Sequence, residues 1–158
     1  MRINGVKTIV AAVLALTVLP GAACAGETTG GAALMLAALV GKTAPGLDGA
    51  RKATLAALMD GRAVAAGALT VTAERVMCRA SNVDIAAHAC DLTFAGRAVT
   101  FSGRRAHELF ATMLEAGAAP EGAAGSTYVE VKHLDCALDT SAIAERGGGG
   151  ASCRWQGE

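Results

Sequence analysis

Four cysteines constrain what this chain can fold into more than any other feature: Cys78, Cys90, Cys136 and Cys153. They follow a segment that reads as an export signal, and an even cysteine set in an exported chain reads as a disulfide framework with three possible connectivities. The expected pairing is Cys78–Cys90 with Cys136–Cys153, because each bond then closes a short loop between neighbouring strands. Each closure contributes on the order of 3 kcal/mol in the chain-entropy picture. That is a large share of the roughly 5–15 kcal/mol by which a domain is stable. Zinc is set aside because no C-x-x-C pair occurs, and no cofactor is expected.

The export signal rests on the first residues. Arg2 and Lys7 flank the start of an uncharged apolar run, Thr8–Leu19, which Pro20-Gly21 breaks. Ala23-Cys24-Ala25 then supplies the small-x-small pattern that a signal peptidase requires, with the cut after Ala25. The run falls short of the roughly 20 residues that a spanning helix needs. Residues 1–25 are therefore expected to be a signal peptide, 26–31 a flexible start, and 32–158 one disulfide-stabilised domain, periplasmic or extracellular. Gly21-Ala22-Ala23-Cys24 also resembles a bacterial lipoprotein processing site, which implies a protein anchored through a lipidated Cys24. That pattern prefers Leu where this chain has Gly21.

The most legible stretch is Val76–Gly117. In Cys90–Phe94 apolar residues alternate with Asp91 and Thr93, the period of a half-buried strand. Val99 and Phe101 resume the alternation after a turn at Gly96, which predicts a β-hairpin. Ala106, Leu109, Phe110, Met113 and Leu114 then fall at helical spacing, with Gly117 as the stop.

Upstream, Ala32–Val40 predicts a buried helix ended by Gly41, and Arg51–Met59 a second helix. From Leu69 the chain alternates as a strand, but Leu69, Val71 and Ala73 fall on one parity and Val76 and Cys78 on the other. A bulge near Glu74-Arg75 repairs the phase. Downstream, Ala118–Ser126 is expected to be a loop, Tyr128–Cys136 a strand and Ser152–Gln156 a closing strand. The fold class is α+β: an antiparallel sheet of about five strands, packed by a central amphipathic helix, with two short N-terminal helices and two local disulfides.

Charge and motifs exclude several functions. Without Arg2 and Lys7, 12 of the 14 basic residues remain against 14 acidic ones, a net charge near −2 with no block of either sign. That composition lacks the basic face or aromatic platform of a nucleic-acid binder. Gly41-Lys42-Thr43 is not a phosphate loop, because Leu36 stands where the motif needs glycine. His107-Glu108 lacks the second histidine of a zinc-protease helix, since position 111 is Ala111.

Three groups of residues remain as site candidates. Ser81, Asp84 and His88 share the first disulfide loop and contain the residue types of a nucleophile–base–orienter set. His133, Asp135 and Asp139 form a second polar cluster, with His133 and Asp135 on one face if the segment is a strand. Gly147, Gly148, Gly149, Gly150 and Trp155 are candidates for partner contact, since a glycine run permits close approach and tryptophan is enriched at binding hot spots. The expected function is an exported, non-enzymatic domain that binds a protein or envelope component, an inhibitory role included. The alternatives are a small periplasmic hydrolase using His88 or His133/Asp135/Asp139, and a structural envelope lipoprotein.

Overall fold

The computed structural model describes residues 25–123, 125–146 and 149–157. The expected signal peptide, apart from Ala25, and the Cys24 anchor lie outside the described residues. Among them the architecture is α+β, an antiparallel sheet of seven strands with four helices. In chain order the elements begin with β1 (Ala25–Thr29), α1 (Gly31–Thr43), α2 (Gly49–Met59) and β2 (Ala68–Ser81). After a 3-10 turn at Ile85–Ala87 come β3 (Ala89–Phe94), β4 (Arg97–Ser102) and α3 (Arg104–Glu115). The chain closes with β5 (Pro120–Ala123), β6 (Ser126–Asp139), α4 (Thr140–Arg146) and β7 (Ala151–Gln156). The sheet order is β1-β7-β6-β2-β3-β4, with β5 alongside β6.

The two long strands carry the architecture. β2 and β6 pair antiparallel along their whole length, from Ala68↔Asp139 to Ser81↔Ser126. Both change phase at the same point. Leu69, Val71 and Ala73 are buried, then Val76, Cys78 and Ala80; opposite them Val129 and Val131 are buried, then Leu134, Cys136 and Leu138. The phase change at Glu74-Arg75 is present, but not as the expected bulge against β6. The β2–β6 register is the same on both sides and only the Glu74–His133 pairing is lost, while His133 adopts φ 50° and β6 shifts register against β7. One apolar face therefore stays continuous through the kink.

Each half of this bent sheet has its own disulfide and its own helix. Cys78 opposes Cys90 across β2 and β3, and Cys136 opposes Cys153 across β6 and β7, with Cα separations of 4.1 and 4.0 Å. Such close approach belongs to the narrow, non-hydrogen-bonded sites of an antiparallel pair. Cys90 Sγ lies 3.4 Å from the Ala106 carbonyl of α3, and Cys153 Sγ lies 3.4 Å from the Ala33 carbonyl of α1. Alanine at both positions lets the helix backbone reach the bridge. The central helix forms as expected and α3 buries Ala106, Leu109, Phe110 and Met113 against the sheet, but Leu114, placed on the same stripe, turns outward and is 38% exposed. The β3–β4 hairpin turns through Ala95 and Gly96 with φ 46° and 73°, the doubly left-handed turn that suits strand twist.

Several expectations are corrected. The sheet has seven strands rather than about five, because β1 (AGETT) and β5 (PEGA) lack the apolar alternation that marks a strand. The 26–31 start is not loose: Ala25–Thr29 pairs with β7, and any Cβ at Gly26 would overlap the Trp155 ring. β1 lacks a hydrophobic run because the tryptophan of its neighbour supplies the apolar contact. Gly41 does not end α1, which continues to Thr43; it is buried where Leu55 of α2 crosses, so it permits close helix approach instead of a stop. The fourth helix, α4, is an addition started by a side chain: Asp139 Oδ1 accepts from the Ser141 and Ala142 amides at 3.0 and 3.1 Å.

Candidate functional site

The loop between Cys78 and Cys90 is built by its polar residues. Ser81 Oγ accepts from the amides of Val83 and Asp84 at 3.2 and 3.4 Å. Asp84 Oδ1 accepts from the Ala86 amide at 2.8 Å and so starts the 3-10 turn. His88 is 5% exposed, and its Nε2 lies 3.1 Å from the Ser81 carbonyl, closing the loop on itself. Its other ring nitrogen, Nδ1, is 3.3 Å from Nδ1 of His107 on α3. The Phe110 ring stands edge-on to the His88 imidazole at 6.1 Å.

These contacts brace both ends of the loop and leave its tip outward. Val83 is 92% exposed and Ile85 53% exposed, the two most exposed large hydrophobic side chains among the described residues. An aliphatic residue left in water on an ordered loop forgoes the ~1.5–3 kcal/mol that burial contributes. Binding to an apolar recess recovers it, and a braced loop loses little conformational freedom in doing so.

Ser81, Asp84 and His88 are thus neighbours, but their hydrogen bonds run to backbone and to His107 rather than along a Ser–His–Asp relay. The geometry that lets histidine activate a serine hydroxyl is not formed. His133 and Asp135 do share a cleft of about 740 Å³, with Thr70, Thr72, Glu74 and Arg97 on its walls. No hydrogen bond or ion pair joins His133 to Asp135 among the described residues. Asp139 is spent on the α4 cap.

The partner-contact candidates divide. Trp155 is 5% exposed and belongs to the core beneath Gly26, so it offers no docking surface. Gly150 is structural: its carbonyl accepts from the Asp139 amide at 2.8 Å, and a Cβ there would meet Asp139 and Ala142. Gly149 is exposed, while Gly147 and Gly148 lie outside the described residues. Among those residues no group of three or more His, Cys, Asp or Glu side chains is placed to hold a metal ion. No helix among them is long and apolar enough to cross a membrane.

Val83, Ile85 and His107 were absent from the sequence-based candidates. The available signal for the first two was a pair of large β-branched residues in a disulfide loop whose other residues are polar or alanine. The chain matches no protein-family model, no curated protein and no solved structure.

Proposed function

We propose that the protein is an exported, non-enzymatic binding domain whose Ser81–His88 loop seats Val83 and Ile85 in an apolar recess of a protein partner. The observation that carries this reading is the 92% exposure of Val83 on a loop fixed by a disulfide and by hydrogen bonds at both ends. Bracing such a loop only to leave its apolar tip in water has no folding rationale. Pre-organisation favours affinity, because the ordering cost is met on folding rather than on binding. A loop of this kind also suits occupation of a cleft, the inhibitory form of the same function. Two disulfides fit an oxidising compartment, which supports export.

The test compares the oxidised protein with Val83→Asp as baits on the native envelope fraction, followed by affinity measurement on the captured partner. The substitution lies on a side chain open to solvent, so the melting temperature should hold within a few degrees. A partner bound by the wild type and at least about tenfold more weakly by Val83→Asp is the expected result, as for an interface anchor. Equal affinity for both baits would remove the loop from the interface.

A further inference from the structure

A second surface lies where α1 and α2 pack against each other. Each helix contributes a lysine, a leucine, an alanine and a methionine: Lys42, Leu39, Ala38 and Met35 from α1, and Lys52, Leu55, Ala56 and Met59 from α2. They line a groove of about 460 Å³. Small side chains at Ala38, Ala53 and Ala56 give it depth, Leu39 and Leu55 form its apolar middle, and Met35 remains 38% exposed at one end. Methionine there is polarizable and adaptable to an irregular ligand.

Charge orients the groove. Lys42, in the last turn of α1, and Lys52, in the first turn of α2, both line the groove near the α1–α2 turn, and neither is in an ion pair among the described residues. Lys52 is in the first turn of α2, which contains no acidic residue, so it lies at the helix end where the dipole disfavours a cation. The Asp48 carboxylate beside it is engaged by the Arg51 amide at 2.8 Å. Asp60 also lines the groove, but its charge is matched by Arg62 at 3.0 Å, so the two lysines carry the groove's uncompensated charge. An apolar trough whose uncompensated charge is cationic accepts the head group of an anionic amphiphile at its lysines.

We infer that this groove binds a single-chain anionic amphiphile of the fatty-acid class, its carboxylate between Lys42 and Lys52 and its tail running toward Met35 and Met59. Seven residues of α1 separate Lys42 from Met35, about 10 Å of helix, which suits an acyl chain of roughly 8–12 carbons. The mixed hydrophobic and cationic lining is that of a ligand site with few, well-placed polar groups. This site is separate from the Val83 loop and stands or falls independently of it.

The test is titration of the oxidised protein with sodium decanoate below its micellar concentration, followed by calorimetry and by amide shifts along α1 and α2. Saturable one-to-one binding is expected, tightening by up to about fourfold per added methylene until the groove is filled and then levelling off. Lys42→Glu with Lys52→Glu should weaken decanoate at least about tenfold, and decanol should bind the wild type no better than that variant. Ala56→Trp, at an exposed position, should plug the groove and abolish binding without unfolding. Absent saturation, equal affinity in the charge-reversed protein, or shifts confined to other elements would overturn the site. So would binding to anionic phosphatidylglycerol vesicles with none to monomeric decanoate, since that result describes a membrane surface and not an acyl groove.

Discussion

His88 and His107 face each other through their Nδ1 atoms at 3.3 Å, so a buried imidazole of the disulfide loop is tied to the first turns of α3. The Ser81 carbonyl only accepts, so Nε2 of His88 carries the hydrogen in the neutral ring, and its Nδ1 accepts from the Nδ1–H of His107. The loop that displays Val83 is therefore held by a chain of two hydrogen bonds running from its backbone into the helix layer.

His88→Phe keeps an aromatic ring of similar size beside Phe110 and removes both bonds. It also removes the imidazole N–H from the part-buried Ser81 carbonyl, and a lost hydrogen bond of this kind costs about 0.5–1.5 kcal/mol. The expected outcome is a stability loss of about that size. Hydrogen exchange should quicken at Val83, Ala86 and Ala87, whose amides hydrogen-bond within the loop. Unchanged exchange at those three amides would show that the histidine pair does not brace the loop.

The solvent face of the kinked sheet supplies a pH-dependent test. Arg75 donates to Glu130 from Nε at 2.7 Å and from Nη2 at 3.2 Å. That hydrogen bonding, with the Arg75 charge and Lys132 at 4.0 Å, holds the Glu130 carboxyl below the usual carboxylate range against the opposing effect of burial. A carboxyl whose pKa is lower folded than unfolded stabilises the protein above its unfolded value, near 4.3. The contribution is lost as pH falls through the folded value. Arg75 is 43% exposed, so solvent screening keeps the contribution to about 1 kcal/mol or less. Glu130→Gln should thus lower the urea midpoint at pH 7 and converge on the wild type at about pH 3. A gap that stays constant across that range would assign the effect to packing instead of charge.

What the sequence disclosed follows from which forces act locally. The parity change between Ala73 and Val76 is written in hydrophobicity, so the kink in β2 was legible. The matching change in β6, from Val129 and Val131 to Leu134 and Cys136, is written the same way. That the two kinks lie opposite each other, however, is a property of the long-range β2–β6 register. The disulfide partners were legible because both pairs close short loops. Gly41 was misread because glycine near a helix end usually signals a stop, while the side chain that needs its missing Cβ belongs to α2. β5 was hidden by Pro120 and Gly122, which depress strand propensity yet fit a short edge. The polar candidates at Ser81, Asp84 and Asp139 were real features with a different use, since short oxygen-bearing side chains cap and turn backbone more often than they catalyse.

The N-terminal strand gives the sharpest check on packing. Gly26 opposes Trp155 in the β1–β7 register, and the indole occupies the space that a side chain at Gly26 would need. Trp155 is also part of the core that includes Cys153 and Leu36. Displacing it therefore disturbs the second disulfide half of the sheet and not only its edge. Gly26→Val forces either the indole or β1 to move, an overpacking cost of about 1–3 kcal/mol. Gly30, also near this strand, has open space around its missing Cβ but adopts φ 73°, so it is no neutral control; Glu27→Val on the exposed face serves better. The lone tryptophan makes the readout direct. Its emission should shift to the red in Gly26→Val as the indole meets water, with the melting temperature falling by several degrees, while Glu27→Val leaves both near wild type. An unshifted spectrum in Gly26→Val would mean that β1 does not cover Trp155.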